Sequence, residues 1–311
     1  MNRTNELLEQ MNQVIVGKAE VLEKVWMAVL ANGHILLDDV PGVGKTTLAV
    51  ALGKALGMRY HRLQLTPDVL PSDIVGFSVY DKAGGGFRYM PGIVNDSNLL
   101  LADEINRTSS KTQSALLEAM EERQVTVDGT AHPLPEPFLV IATENHVGAA
   151  GTQLLPQAQL DRFLIRLHIG YPDFESQMQI LRSHRLENPV EKVRPVADCA
   201  QVLQMQQQAA QVTMKDSILS YITRLTMASQ QTELLELGIS PRGAIAVGRM
   251  ARACAFVRGR DYVIPADVRE IFVDVCAHRV LPSQKAKAAQ QSAQQVLAAL
   301  LSQVPEPYAE S

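Results

Sequence analysis

The chain has 311 residues, of which 46% are hydrophobic and 20% are charged, so its composition excludes a disordered protein. This length allows a large core and about two domains. The formal net charge of −4 argues against nucleic acid as a default partner. No apolar run approaches about 18 residues, so we expect no membrane span.

The three cysteines, Cys199, Cys254 and Cys276, lie far apart in segments of helical pattern. No pair of them has the spacing of a zinc site, so we expect buried free thiols in a reducing compartment. The seven histidines show no ligand spacing, and we assign none of them to a metal. Because no signal peptide is evident either, we expect a cytoplasmic protein.

Two helices are predicted over residues 4–31, with a break near Gly17, because apolar residues recur at helical spacing on both sides of that break. An apolar strand then begins after His34 and leads into a glycine-bearing turn. A helix is predicted to run from Leu48 to Leu56, and Gly57 stands where a helix stop is expected.

The turn between this strand and helix has the chemistry of an anion site. Gly42 and Gly44 let backbone N–H groups converge on one anion, Lys45 adds a positive charge, and Thr46 offers a hydroxyl suited to Mg²⁺. This pattern predicts a nucleoside triphosphate site, although an ordinary turn with an exposed lysine is the alternative. Asp39 replaces the first glycine of the full signature, and its carboxylate should weaken anion binding unless it points away.

A second strand is predicted at residues 60–65, and a long irregular stretch rich in proline and glycine follows it over residues 66–98. Short alternating segments interrupt this stretch at residues 77–80 and 87–89. A loop of this length inside a compact domain is usually functional, and a surface insertion is the alternative.

The next apolar strand ends in two acids, Asp103 and Glu104. Asp103 would hold Mg²⁺, directly or through water, and Glu104 would polarise the water that attacks the γ-phosphate. A strand that merely meets a solvated turn has the same pattern. The phosphate-binding turn about 60 residues earlier nevertheless favours nucleotide hydrolysis.

Two further local patterns are predicted in the middle of the chain. Ser110 and Gln113 form a capping box at the start of a helix. The alternating strand pattern at residues 124–130 closes in Asp128 and Gly129, which is the strongest short signal of a hairpin.

Two polar residues stand at the ends of the following elements. The strand at residues 138–143 leads to Asn145, whose amide would hold the attacking water or contact the γ-phosphate, although asparagine is also a plain turn former. Arg162 follows a helix and precedes a strand at residues 163–169. Without further context, a surface salt bridge is the simplest interpretation of this arginine.

The chain is predicted to be helical after residue 171. Ser240 is predicted to be the N-cap and Pro241 the first residue of one of these helices. Arg242 then lies in the first turn, where the helix dipole disfavours a cation by ~0.3–1 kcal/mol. A bound phosphate would reverse that sign, and an exposed arginine that tolerates the cost is the alternative.

These segments, taken in order, resemble the MoxR family of AAA+ ATPases. The resemblance runs from about residue 16 to residue 278. Besides the phosphate-binding turn, it is carried by residues 70–73 (LPSD), 100–107 (LLADEINR), 111–126 (KTQSALLEAMEERQVT), 154–163 (LLPQAQLDRF), 240–242 (SPR) and 258–263 (RGRDYV).

The resemblance implies an α/β fold, an AAA+ P-loop NTPase core with a parallel five-stranded sheet of order 5-1-4-3-2, followed by an all-α lid. It places the core at residues 1–171 and the lid at residues 172–311. In this branch of the superfamily, the stretch at about 67–98 would be the insert in the second helix. The hairpin at about 123–137 would be the pre-sensor insertion.

The resemblance also implies a role for each matching residue. The Walker A motif, which holds the phosphates, would comprise Pro41, Gly42, Val43, Gly44, Lys45, Thr46 and Thr47. In the Walker B motif, Asp103 would share the metal with Thr46, and Glu104 would be catalytic. Asn145 corresponds to sensor 1, Arg162 to the arginine finger of a neighbouring subunit, and Arg242 to sensor 2. Val16 and Gly17 would lie against adenine.

Members of this family are usually hexameric rings that bind ATP and Mg²⁺ and remodel or mature protein clients, often alongside von Willebrand factor A domain proteins. The resemblance therefore implies a homo-oligomeric ring with protein clients and no nucleic-acid partner. A nucleotide-gated scaffold with negligible turnover, a nucleic-acid motor and the ATPase subunit of a metal chelatase are the alternatives.

This sequence departs from the family pattern at Asp39, at residues 108–110 (TSS) and at residues 144–146 (ENH, where QNP is usual). These departures bear on ATP affinity and turnover rather than on the fold. We expect Asp39→Gly to tighten ATP binding, and unchanged or weaker binding would mean that the carboxylate points elsewhere.

Overall fold

The computed structural model describes residues 3–82, 84–144, 155–183 and 189–307. The chain forms two compact units. The first contains Met1–Glu23, His34–Leu155 and Leu167–Leu203, and the second contains Lys24–Gly33, Pro156–Arg166 and Gln204–Ser311. The domain boundary at residue 171 stays a prediction.

The elements are numbered in chain order. The strands are β1 (Ile35–Asp38), β2 (Tyr60–Gln64), β3 (Phe77–Asp81), β4 (Gly86–Met90), β5 (Leu99–Asp103), β6 (Gln124–Val127), β7 (Thr130–Pro133), β8 (Leu139–Glu144), β9 (Ile165–Leu167), β10 (Leu235–Leu237) and β11 (Leu281–Pro282). Short 3₁₀ helices span Ile93–Asp96, Ile105–Arg107 and Pro189–Lys192.

The α-helices of the first half are α1 (Arg3–Val14), α2 (Ala19–Leu30), α3 (Lys45–Ala55), α4 (Pro71–Val75), α5 (Ser110–Glu122), α6 (Gln157–Leu160) and α7 (Phe174–Ser183). Those that follow are α8 (Cys199–Ala210), α9 (Asp216–Gln231), α10 (Pro241–Val257), α11 (Pro265–Cys276), α12 (Gln284–Ala288) and α13 (Ala293–Gln303). Among the described residues, every helix is too short or too polar to cross a lipid bilayer.

The central sheet has the strand order β2-β5-β8-β1-β9 and is parallel, which confirms the predicted order 5-1-4-3-2 when the five core strands are counted along the chain. Every residue of β1, β5 and β8 is buried, as expected for parallel strands covered on both faces. In register, Gln64 lies opposite Asp103, and Asp38 lies opposite Glu144. The carboxyl ends of these strands therefore meet at one edge of the sheet.

The stretch between β2 and β5 is ordered by local hydrogen bonds. The alternating segments pair as the antiparallel hairpin β3–β4. The hydroxyl of Tyr89 lies within hydrogen-bonding distance of two acceptors, Val75 O at 2.6 Å and Asn95 Oδ1 at 2.9 Å, which ties this hairpin to its flanking helices. The Tyr89 ring also stacks on His132 of β7, with centroids 3.8 Å apart.

The hairpin predicted at Asp128 and Gly129 is confirmed, and one predicted helix start is wrong by one residue. Asp128 and Gly129 have φ angles of 49° and 78°, as a two-residue turn between β6 and β7 requires. The N-cap of α5 is Ser109, whose hydroxyl accepts from Thr112 N at 3.2 Å. The predicted capping box fails because the Gln113 amide donates instead to Ile105 O at 3.0 Å.

The second unit is mostly helical, and its core lies where α9, α10, α11 and α13 pack together. Tyr221 and Phe272 are its largest fully buried side chains from these helices. Ser240 is the N-cap of α10 and accepts from Gly243 N at 3.1 Å, as predicted. Cys254 and Cys276 are buried thiols, but Cys199 in the first unit is partly exposed, so its predicted burial is wrong.

Candidate functional site

The turn between β1 and α3 adopts the conformation that its glycines allow. Gly42 and Gly44 have φ angles of 86° and 98°, in the left-handed region that other residues avoid. Gly44 is also the N-cap of α3, and no described side chain caps this helix. Its first backbone N–H groups and the positive end of the helix dipole therefore face the turn, which favours an anion there.

Lys45 reaches across the turn to the end of the sheet. Its ammonium donates to Asp39 O at 2.7 Å and to Glu144 O at 3.3 Å. Burial lowers the pKa of Lys45, while the carboxylates of Asp39 and Asp103 oppose that shift. The side chain is thus a partly desolvated cation held by main-chain oxygens at the pocket.

The Asp39 carboxylate points toward the main chain that follows β9, and backbone N–H groups there donate to it. It accepts from Gly170 N at 3.1 Å and from Ile169 N. Only the main-chain oxygen of Asp39 contacts the Lys45 ammonium. This geometry corresponds to the alternative in which the carboxylate points away, so Asp39→Gly should no longer tighten ATP binding by removing a charge that faces the phosphates.

Asp103 ends β5 and is held by a hydroxyl and an arginine. Its Oδ1 accepts from Thr143 Oγ1 at 2.6 Å, and its Oδ2 accepts from Arg62 Nη2 at 2.6 Å. Nothing in the sequence singles out Arg62, because its role depends on β2 lying beside β5.

Glu104 follows directly in a left-handed conformation, with φ 57° and ψ 52°, which is unusual for a residue with a side chain. Its Oε2 accepts from Gln64 Nε2 at 3.0 Å and from Arg107 Nη1 at 2.7 Å. The backbone turn separates its carboxylate from that of Asp103, and two donors then orient it.

Thr143 connects the two acids. Its hydroxyl accepts from Glu104 N at 2.8 Å and donates to Asp103 Oδ1 at 2.6 Å, and the residue is fully buried on β8. Sequence reasoning missed this residue. A threonine at the end of an apolar strand next to the acid-bearing strand is the signal that would have found it.

These groups surround one cavity of about 380 Å³ in the first unit. Its lining combines the phosphate-binding turn with the acidic strand end: Pro41, Gly42, Gly44, Lys45, Thr46, Thr47, Arg62, Gln64, Asp103 and Glu104. The Thr46 hydroxyl and the Asp103 carboxylate are hard oxygen donors of the kind that Mg²⁺ takes when phosphates and waters complete its coordination. No cluster of three metal-ligating acids, histidines or cysteines occurs among the described residues.

Other predicted site residues lie elsewhere or outside the described residues. Val43 is in the turn, but it does not line the cavity, and neither do Val16 and Gly17, which lie between α1 and α2. Gly17 has a φ of 74°, and a Cβ at this position would meet Ser176 Oγ at 2.0 Å. Asn145 lies outside the described residues.

The two predicted arginines belong to the second unit. Arg162 lies between α6 and β9, in the segment predicted for it. Arg242 lies in the first turn of α10, as predicted, and its Nε is 3.7 Å from Asp161 Oδ2. A carboxylate therefore offsets the unfavourable position of this cation at the helix start.

Two families match the chain. Residues 34–165 match the ATPase family associated with various cellular activities (AAA), and residues 227–300 match the AAA lid domain. The chain is 44% identical to the uncharacterized protein YeaC of Bacillus subtilis over 300 residues, which cover 96% of this chain and 93% of that protein. It is 38% identical to the chaperone MoxR1 of Mycobacterium tuberculosis over 288 residues, covering 90% and 76% of the two chains.

The fold is also similar to a crystal structure of a Cytophaga hutchinsonii protein assigned as an ATPase. The TM-score is 0.89 at 37% sequence identity, and the match covers 98% of this chain and 94% of that chain.

Proposed function

Since the chain belongs to the MoxR family of AAA+ ATPases, we propose that it binds ATP with Mg²⁺ in the cavity of the first unit and hydrolyses it. One observation carries this proposal: a single buried hydroxyl, that of Thr143, holds both the Asp103 carboxylate and the main-chain N–H of Glu104 beside the phosphate-binding turn. A strand end that merely met solvent would need no such arrangement.

Phosphoryl transfer to water requires positioning and charge neutralisation more than covalent chemistry from the protein. Backbone N–H groups of the turn and the Lys45 ammonium would hold the phosphates. Thr46 and Asp103 would hold Mg²⁺, which supplies charge neutralisation on the phosphate oxygens. Glu104, oriented by Gln64 and Arg107, would polarise the attacking water.

The remaining predicted residues complete the proposed site. Asn145 would contact the γ-phosphate or the attacking water. Arg242 would act as sensor 2, and Arg162 would reach the γ-phosphate in a neighbouring subunit of a ring, most simply a hexamer. Because a residue supplied by the neighbour is needed for turnover, assembly and hydrolysis would be coupled. Val16 and Gly17 would lie against adenine.

The proposed biological role is chaperone-like remodelling or maturation of protein clients. The support is a relative, 38% identical over 90% of this chain, that is named a chaperone. Proteins with von Willebrand factor A domains are the proposed partner class. A Glu104→Gln variant that traps ATP-bound complexes in the native host would identify the client by pull-down.

Phosphate release tests the proposal directly. Glu104→Gln should bind a fluorescent ATP analogue normally but release phosphate far more slowly than the wild type, and Lys45→Ala should lose binding. Glu118→Gln, at an exposed position on α5, is the matched control and should behave as the wild type. Equal and near-zero rates for wild type and Glu104→Gln would favour a nucleotide-gated scaffold instead.

Arg162→Ala tests the contribution of the neighbouring subunit. It should bind ATP but lose roughly 10³-fold in turnover of the assembled ring, by analogy with arginine fingers of other phosphate hydrolases. Normal hydrolysis by this variant would refute the role in trans.

A further inference from the structure

Arg279 is a buried arginine of the second unit, with 4% of its surface exposed. It follows α11, and its Nε donates to Val275 O in the last part of that helix at 2.8 Å. The other end of its guanidinium donates to the main-chain oxygens of Asp161 at 2.8 Å, Phe163 at 2.6 Å and Leu164 at 3.3 Å. These oxygens lie on both sides of Arg162.

Two more contacts hold the same segment. The Asp161 carboxylate forms an ion pair with Arg279 Nη1. His278, also buried, donates from the Nε2 of its imidazole to Phe163 O at 3.0 Å. Consecutive side chains after α11 therefore hold the main chain that carries Arg162.

The aliphatic part of Arg279 packs against the start of α10. A Cβ at Gly243 would lie 3.3 Å from Arg279 Cδ and 2.8 Å from Ile239 Cγ2, so glycine is what allows this close approach. Arg242, the residue before Gly243, has its Nε 3.7 Å from the same Asp161 carboxylate. Arg279 and Asp161 thus lie between the segments that carry the two predicted phosphate-sensing arginines.

The chemistry of a buried guanidinium makes this arrangement specific. Burying a charge is costly unless it is paired and hydrogen-bonded, and the five hydrogen bonds of Arg279 match the five donors of its guanidinium. The donors form a rigid planar fork, so they fix the positions of their acceptors relative to one another. Lysine has one freely rotating ammonium and cannot reproduce that set.

We infer that Arg279, together with Asp161, is a positioning residue for ATP hydrolysis, because it fixes the main chain around Arg162 and thereby the direction in which Arg162 extends. This inference rests on the proposed function, in which Arg162 contacts the γ-phosphate of a neighbouring subunit. Arg279 itself contacts no reacting atom.

Steady-state hydrolysis by Arg279→Lys, together with binding of a fluorescent ATP analogue, tests the inference. We expect kcat to fall about 10²-fold, the usual scale for a misplaced catalytic group, while the Kd for the analogue stays unchanged. Arg258→Lys is the control, since Arg258 pairs with Glu270 at 2.8 Å on the surface of the same unit. It should leave kcat and Kd unchanged. Wild-type kcat in Arg279→Lys would overturn the inference.

The double variant Arg162→Ala/Arg279→Lys distinguishes positioning from a general structural defect. If Arg279 acts through Arg162, the double variant should hydrolyse ATP as slowly as Arg162→Ala and no slower. Losses that multiply would overturn the inference. If Arg279→Lys does not bind the analogue, Asp161→Asn, which keeps the side-chain size, takes its place in the same comparison.

The outcomes also separate this inference from the proposed function. If Arg279→Lys hydrolyses ATP slowly while Arg162→Ala hydrolyses it at the wild-type rate, the role of Arg162 is refuted, and the inference with it. A slow Arg162→Ala beside a fast Arg279→Lys and a fast Asp161→Asn would leave the proposed function standing and refute only the positioning role.

Discussion

Both compact units contain aspartate–arginine pairs, and one pair from each unit shows how differently water reaches the arginine. In the first unit, Arg62 bonds Asp103 at 2.6 Å, and 47% of the Arg62 side chain is exposed. In the second unit, Arg279 pairs with Asp161, and only 3% of the Arg279 side chain is exposed. The same type of ion pair therefore occurs once with a solvent-exposed arginine and once with a buried arginine.

This difference matches what each site has to do. An exposed guanidinium gains little from its partner and loses little when it moves away, so Asp103 is available to a competing ligand such as Mg²⁺. A buried guanidinium has no comparable alternative, so Asp161 keeps its partner and the segment beside it keeps its geometry. The comparison indicates an adaptable pair at the cavity and a fixed pair that supports Arg162.

The largest expected effect comes from breaking the buried pair. Arg279→Met should lower the free energy of unfolding by about 3 kcal/mol, because it leaves main-chain oxygens and the Asp161 carboxylate without their donor. Urea denaturation followed by circular dichroism measures this. Arg258→Met, which breaks a pair whose arginine is 44% exposed, is the control and should cost below about 1 kcal/mol. Equal losses of unfolding free energy in the two variants would contradict the proposed difference between exposed and buried pairs.

The pH dependence of stability tests the same buried region, because His278 lies there beside Arg279. Burial lowers the pKa of His278 to about 3 from an ordinary value of 6.5. Below pH 6.5, His278 therefore binds a proton in the unfolded chain but not in the folded chain. Stability is consequently lost as the pH falls from 6.5 to 3.

For this one group, the loss between pH 7 and pH 5 should be about 2 kcal/mol. His278→Gln keeps a donor toward Phe163 O and should remove that part of the pH dependence in urea denaturation. A wild-type and a variant curve with the same slope would show that His278 is not protonated on unfolding in this window.

Asp39 is intermediate in burial between the exposed and the buried pair, and its carboxylate accepts from two backbone N–H groups. Asp39→Gly should cost about 1–2 kcal/mol in unfolding free energy, because those donors lose a charged acceptor. Asp68→Gly, at an exposed position of the same unit, controls for the flexibility of glycine. ATP affinity measured by calorimetry should weaken or stay constant, and tighter binding would mean that the carboxylate faces the phosphates.

The smallest effect is expected from the exposed pair. Arg62→Gln should change the unfolding free energy by less than about 1 kcal/mol. Because Arg62 then no longer competes for Asp103 Oδ2, the magnesium concentration for half-maximal ATP hydrolysis should fall. A higher magnesium requirement would mean that Arg62 supports the metal site. That result would contradict the interpretation of Arg62 and Asp103 as an adaptable pair.

Much of the fold could be predicted from local patterns. Apolar runs predicted the buried strands, and the pairs Gly42–Gly44 and Asp128–Gly129 predicted turns, because a positive φ strongly favours glycine and a few other residues. Ser240 predicted a helix start, since a side-chain cap depends on only three or four neighbouring residues. The strand order came from the resemblance to a family rather than from any local signal.

The sequence by itself determined the strands, the phosphate-binding turn and the acids at the end of β5, because each depends on neighbours along the chain. Only the tertiary structure decided which distant groups meet these residues. It placed Thr143 between Asp103 and Glu104, turned the Asp39 carboxylate toward Gly170, and buried Arg279 against the segment of Arg162. Hydrogen bonds between residues far apart in sequence leave no periodic pattern, so their partners emerge only when the elements pack.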